Sequence, residues 1–196
     1  HLLGTNLCSL RPFVERLAFS TVWELTPSAE VVNVRFFKSV IASKAAFTYE
    51  EAQNRKDDLS LNDAITESIR LLNDMAIKLR RGRMEAGALN LASPEVRIHL
   101  DSAESSAPID VEQKEMRETN SLVEEFMLLA NTSVARRIYE AYPTTGVLRR
   151  HAPPPADNFE TLQDILKKRR GMDLDVSSSG ALAASLDRCA DTRDPA

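Results

Sequence analysis

The chain alternates between short apolar runs of two different periods. Arg16 to Thr26 (RLAFSTVWELT) and Glu30 to Ile41 (EVVNVRFFKSVI) are rich in β-branched and aromatic residues, which fit a pleated surface. Pro27-Ser28 lies between them as a turn signal, so the pattern predicts two strands joined by a tight connection. From Tyr49 to Arg55 the spacing predicts a short helix with Thr48 as its cap, because a threonine hydroxyl can accept from an early helical N–H. A longer helix is expected to open at Ser60, with Asp63 in its first turn and Leu61, Ile65, Leu72, Met75, Ala76 and Leu79 at helical spacing. It ends in KLRRGR (Lys78 to Arg83), where cations favour the negative end of the helix dipole.

Pro94 to Leu100 (PEVRIHL) alternates like a strand, and the Ser-, Asp- and Pro-bearing stretch from Asp101 to Lys114 reads as an exposed loop. A long central helix is expected from Glu115 to Tyr142, where Pro143 stops it. Beyond the connection APPPADN, Phe159 to Arg170 and Ser177 to Arg188 predict two further helices. Strands and separate helices without an internal repeat point to an α+β fold, a mixed sheet with packed helices.

Composition narrows the classes. The chain has 196 residues, of which 43% are hydrophobic, enough for a real core and too many for a mainly disordered chain. No apolar run reaches membrane-spanning length and the start, HLLGTNLCSL, lacks the layout of a signal peptide; no membrane partner is expected. The missing initiator Met and the abrupt end at DTRDPA point to a piece of a longer protein. Flanking strands left out at either end would expose apolar surface and an open sheet edge. Cys8 and Cys189 form no CxxC pair, which argues for a reduced intracellular compartment and against zinc or disulfides. A net charge of -4 gives no broadly basic surface, so any RNA contact has to be local.

The stretch NSLVEEFMLLAN, Asn120 to Asn131, sets adjacent glutamates in the middle of an apolar helix. A step of about 100° per residue places Glu124 in a narrow stripe with Asn120, Met127, Asn131 and Ile138, and Glu125 with Glu118, Thr132 and Arg136. Glu125 is therefore expected to face solvent. Glu124 is expected to be sheltered, facing a buried partner or a polar cavity, since an unpaired buried carboxylate costs several kcal/mol, roughly 3–5. The pattern leaves a structural hydrogen-bond network and a ligand site both open.

Five stretches in order carry a resemblance: LLGTNLCSLRPFVERLAFS, FTYEEAQ, RMEAGALNLASPEVRIHL, TNSLVEEFMLLANTSVARRIY and VLRRHAPPP. Together they resemble the middle of the catalytic domain of the RNase II / RNase R (RNB) superfamily, and GTNLCSLRP, GALNLASPEV and LRRHAPPP resemble its eukaryotic, exosome-associated branch. On that resemblance residues 1–196 are a partial RNB-type catalytic domain, truncated at both ends. The implied activity is magnesium-dependent 3′→5′ hydrolysis of single-stranded RNA to nucleoside monophosphates. The implied partners are single-stranded RNA and the RNA exosome core, in nucleus, nucleolus and cytoplasm. The alternatives are an exosome-independent cytoplasmic paralogue and a catalytically inactive RNA-binding protein of the same fold.

The resemblance also assigns roles. The family's metal-binding aspartate cluster lies upstream of His1 and its arginine-bearing segment beyond Ala196, so no catalytic residue and no magnesium ligand is expected here. The pairs Asp57-Asp58 and Asp173/Asp175 lack the motif's context and read as solvated loop or cap residues. Tyr49 matches an aromatic position that contacts the 3′-terminal nucleotide, and Glu124 matches the carboxylate on its ribose, whose 2′-hydroxyl separates RNA from DNA. Leu91 stands where bacterial members carry a base-stacking phenylalanine, so base contact and core packing are both open there. Arg83, with Arg80 and Arg81, is a candidate phosphate contact, although arginines at a helix C-terminus also serve as dipole partners. Arg149, Arg150 and His151 match a motif after the central helix, with His151 read as structural, the run Lys167 to Arg170 as a solvated helix end, and Trp23 as core.

Overall fold

The computed structural model describes residues 2–89, 96–100, 108–113, 116–150, 152–155 and 157–189. Two compact units divide it, one made of His1–Arg80 with Glu115–Val147 and the other of Arg81–Lys114 with Leu148–Ala196.

The first unit begins with a π-helical turn, Leu2–Leu7, and continues into the hairpin of β1 (Glu15–Leu25) and β2 (Val31–Ala42). The strands pair antiparallel from Glu15↔Ala42 to Leu25↔Val31, with a bulge between Glu24 and Leu25. The turn forms where Pro27-Ser28 predicted it: Thr26 N–H donates to the Glu30 carbonyl at 2.9 Å, and the Thr26 hydroxyl accepts from Glu30 N–H at 3.0 Å. Ala29 completes the turn at φ 67. Lys78 of the long helix donates to the Pro27 carbonyl at 2.9 Å and ties this turn down.

Helix α1 spans Tyr49–Asp57 behind a full capping box. The Thr48 hydroxyl accepts from Glu51 N–H at 3.2 Å, and the Glu51 carboxylate accepts from Thr48 N–H at 2.7 Å. Helix α2 spans Ala64–Glu85 rather than opening at Ser60. Asp63 is the reason: its carboxylate accepts from the N–H groups of Ile65 and Thr66 and from the Thr66 hydroxyl, capping the helix from outside. Ser60 instead donates to Asp58 through both its N–H and its hydroxyl.

Helix α3 spans Glu118–Ala141 and is the spine of this unit. Its burial overturns the expectation for the two glutamates. Glu125 is 4% exposed, whereas Glu124 is exposed. An arc of about 120° on the helix wheel holds Thr119, Leu122, Glu125, Phe126, Leu129 and Ser133. That arc is turned inward: Thr119 and Glu125 are buried, and Trp23 of β1 donates its indole N–H to the Ser133 hydroxyl at 3.1 Å. The stripe of Asn120, Glu124, Met127 and Asn131 lies on the opposite side, with the last three exposed. A wheel fixes the angle between neighbours, while the elements packed on the helix decide which side is inside. Glu125 is not without a partner there, as burial of a carboxylate requires.

In the second unit β3 (Val96–Leu100) pairs antiparallel with β4 (Pro108–Gln113). Within the stretch expected as a loop, Asp101 to Lys114, this corrects Pro108–Gln113 to a strand, and the rest of that stretch lies outside the described residues. The Ser, Asp and Pro content masked the alternation Ile109, Asp110, Val111, Glu112, and β3 supplies the hydrogen-bonding partner that the stretch alone lacks. The α+β class stands, and the named strands form two separate two-stranded antiparallel ribbons. Helices α4 (Asp157–Arg170) and α5 (Ser179–Cys189) complete this unit. Gly87, at φ +91, meets Gly180 so closely that a Cβ built on Gly180 lies 3.1 Å from the Gly87 Cα, and the Ser179 hydroxyl donates to the Gly87 carbonyl at 2.9 Å.

Much apolar surface is open. On β1, Leu17 is 87% exposed, and Phe19 and Val40 beside it on the same face are also exposed. Trp23, expected as core, is half-buried against α3.

Two stability outcomes follow from caps and burial. Thr48→Ala is expected to cost about 1 kcal/mol and Thr48→Ser much less, read from urea unfolding by circular dichroism. Glu125→Ala, which removes a buried carboxylate and the interaction it makes, is expected to cost about 1–3 kcal/mol, while Glu124→Ala stays within about 0.5 kcal/mol. Equal costs for the two glutamates would contradict the burial described.

Candidate RNA-binding site

Tyr49 is the first residue of α1, and Glu124 lies in the second turn of α3. What relates them is a junction between the two helix starts. The first N–H groups of any helix have no partner within it. In α3 the Thr119 N–H donates to the Gln53 side-chain oxygen of α1 at 3.2 Å, and the Thr119 hydroxyl donates to the Tyr49 carbonyl at 2.9 Å. Thr119 is 3% exposed. Arg117 N–H is met within α3 itself by the Asn120 side-chain oxygen at 3.1 Å.

Charged groups surround this buried centre. Glu118 accepts from Asn73 of α2 and pairs with Lys56 of α1, both at 3.0 Å. Burial pulls the Lys56 pKa down, but its hydrogen bonds to Asp57 and Glu118 outweigh that and hold it above its ordinary value. Arg117 approaches Glu50 at 3.7 Å, and Arg80 donates to the Ser121 hydroxyl at 3.3 Å. Arg80, from the candidate basic cluster, is thus part of the junction holding α2 to α3.

The start of α1 is fixed independently. Thr48 N–H, then its hydroxyl, holds the Glu51 carboxyl below the usual carboxylate range. The Arg55 guanidinium lies 5.5 Å from the centre of the Phe47 ring and pairs with Asp63 at 2.7 Å. Hydrogen bonds from the Thr66 hydroxyl and Arg55 hold the Asp63 carboxyl well below its ordinary range. The Tyr49 backbone is therefore pinned while its side chain is 46% exposed. Tyr49 presents an exposed ring at the start of α1, and Glu124 an exposed carboxylate in the second turn of α3, on the side away from the inward arc. That arrangement can stack on a base and accept hydrogen bonds from hydroxyls.

The remaining candidates are placed differently. Arg83 is half-exposed in the last turn of α2, belongs to the second unit and already has an interaction of its own. Leu91 and His151 lie outside the described residues. Thr119, Gln53 and Asn73 were not foreseen as site residues. Thr119-Asn120 beside a helix start was a local cap signal, but nothing in the sequence joins Thr119 to Gln53, 66 positions away.

Among the described residues no group of three or more His, Cys, Asp or Glu could hold a metal ion. The acidic pairs are occupied in local structure. Asp57 accepts from Gln53 and Lys56, Asp58 from Ser60, Asp173 pairs with Lys167, and Asp175 accepts from Ser177 N–H. In the basic run Lys168 pairs with Asp164, and Arg170 donates to the Cys189 carbonyl. These residues do not fit the magnesium centre that the resemblance implies. No described helix is long and apolar enough to cross a membrane.

Comparison with known proteins gives the family. The RNB domain family matches residues 1–196. The exosome complex exonuclease dis3 of Schizosaccharomyces pombe is 58% identical over 194 residues, covering 99% of this chain and 20% of that relative. The exosome complex exonuclease RRP44 of Mus musculus is 52% identical over 187 residues, covering 95% of this chain and 19% of its own length. The chain thus spans about a fifth of the relatives it matches. Among solved structures, Mycoplasma genitalium RNase R in complex with ribose-methylated single-stranded RNA matches with a TM-score of 0.83 at 20% identity, over 96% of this chain and 30% of that one. Yeast Ssd1, described as a pseudonuclease, matches with a TM-score of 0.68 at 18% identity, over 97% of this chain and 23% of that one. Both structural likenesses are likenesses of fold. With the family match running the whole length, the chain belongs to the RNB domain family.

Proposed function

We propose that this chain is the 3′-end grip of a 3′→5′ exoribonuclease of the exosome-associated kind, acting on single-stranded RNA. The observation that carries the reading is the 58% identity with an exosome complex exonuclease over 99% of the chain. The DIS3-like exonuclease 2 of Xenopus tropicalis is 37% identical, which favours the exosome-associated branch over that paralogue. On this reading the parent enzyme associates with exosome core subunits in nucleus, nucleolus and cytoplasm. Its magnesium ligands lie in parts of the protein other than this segment, and they supply the activated water and the charge stabilisation of hydrolysis.

The role of this segment is recognition. Tyr49 offers an aromatic face to the 3′-terminal nucleotide, and Glu124 offers an acceptor to the ribose hydroxyls. Glu124 is suited to that by being open, whereas the buried Glu125 is committed to the interior. Leu91 and Arg83 are secondary contacts on this reading, to a base and to a phosphate. The exposed Leu17, Phe19 and Val40 are then covered by the remainder of the parent protein.

In the full-length protein, Glu124→Ala is expected to erode the preference for ribo- over deoxyribo-3′ ends by about tenfold or more, since a hydrogen bond to a charged group is worth ~1.5–3 kcal/mol. The check is single-turnover decay of matched RNAs differing only in the terminal sugar; an unchanged ratio would sink the ribose role. The chain by itself is expected to leave a 5′-labelled single-stranded RNA intact in magnesium. Stepwise 3′ shortening, free of contaminating nuclease, would place the metal site within these residues.

A further inference from the structure

We propose that Thr119 is a positioning residue for RNA 3′-end discrimination, setting the spacing between the Tyr49 ring and the Glu124 carboxylate through its hydrogen bond to the Tyr49 backbone. The inference rests on the reading of those two residues as nucleotide and ribose contacts.

The latch has two points. The Thr119 hydroxyl donates to the Tyr49 carbonyl at 2.9 Å, and the Thr119 N–H donates to Gln53 at 3.2 Å. Tyr49 and Gln53 stand one turn apart on α1, so the pair of bonds fixes how α1 is rotated as well as how near it lies. The Tyr49 carbonyl has two acceptor positions, so it takes the hydroxyl without giving up its place in α1. Glu124 lies five residues beyond Thr119 on the same helix, a rise of about 7.5 Å at 1.5 Å per residue. One residue therefore anchors the backbone that carries the aromatic ring, and the carboxylate through a rigid helical segment.

The neighbouring contacts cannot replace it. Arg117–Glu50 is long, at 3.7 Å, with a largely open carboxylate, and Glu118 is more than half exposed where it meets Lys56. Such pairs hold geometry weakly and yield to salt. Thr119 is a neutral group shut away from water at 3% exposure, so its geometry persists at working ionic strength. Recognition groups misplaced by as little as ~1 Å lose much of their selectivity.

The test is Thr119→Val in the full-length protein, which keeps the branched shape and the N–H bond to Gln53 and removes only the hydroxyl. The ratio of decay rates for ribo- and deoxyribo-terminated RNA is expected to fall about three- to tenfold, and Thr119→Ser is expected to restore it. Gln53→Met, which removes the other half of the latch, is expected to shift the ratio in the same direction and keeps the test open if Thr119→Val fails to fold. An unchanged ratio in both Thr119→Val and Gln53→Met overturns the proposal, as does an equal loss on both kinds of end. Glu124→Ala alongside separates the two levels. If it abolishes the preference while the latch variants do not, only the latch role fails. If it changes nothing, the ribose reading fails and takes the latch with it. In Thr119→Val/Glu124→Ala the ratio is expected to equal that of Glu124→Ala alone, and further additive loss would place Thr119 in another role.

Discussion

The N-terminus of α3 begins with donors that its own backbone cannot satisfy; α1 supplies Gln53 as the acceptor for one of them, the Thr119 N–H, and further side-chain hydrogen bonds from α1 and α2 converge on the same turn. Gln53 and the Tyr49 carbonyl come from α1 to meet Thr119, while Asn73 and Arg80 come from α2 to meet Glu118 and Ser121. At the other end of the buried stripe, Trp23 brings the hairpin onto Ser133. Because every one of these bonds ends on α3, that helix sets where the flanking elements sit. The exposed side chain of Tyr49 inherits its place from this arrangement.

The same packing settles the chemistry of the two adjacent glutamates. A carboxylate on the inward arc has to find polar company or pay heavily in desolvation, and Glu125 has it. Glu124, about 100° further round, is left exposed. An interior carboxylate thus steadies the helix, while its neighbour presents an acceptor from that steady support. A binding group gains selectivity from being held, and the cost of holding it is borne by residues that never touch the ligand.

On the proposed reading this segment contributes grip and other parts of the protein the chemistry; among its described residues there is no carboxylate cluster able to hold a metal. The fold is also found in a protein described as a pseudonuclease, so fold alone does not carry catalysis. Sequence identity with an exosome exonuclease carries the functional reading, and the open apolar face at Leu17, Phe19 and Val40 fits a segment that spans about a fifth of its relatives.

Local order was written in the sequence. The Thr48 cap, the Pro27-Ser28 turn and the central helix, expected over Glu115 to Tyr142 and found over Glu118–Ala141, are set by interactions between residues a few positions apart, which is the range over which propensity and capping act. Asp63 shows the edge of that range: its capping role was nearby in sequence, yet a choice between Ser60 and Asp63 as the start depended on which hydroxyl and carboxylate paired. The ordered motifs likewise fixed the family. The tertiary structure alone decided three things. It paired Pro108–Gln113 with Val96–Leu100, turned Glu125 inward in place of Glu124, and joined Thr119 to Tyr49 and Gln53. Each depends on a partner far away along the chain, and helical period or strand alternation states only which residues share a face, never what that face will meet.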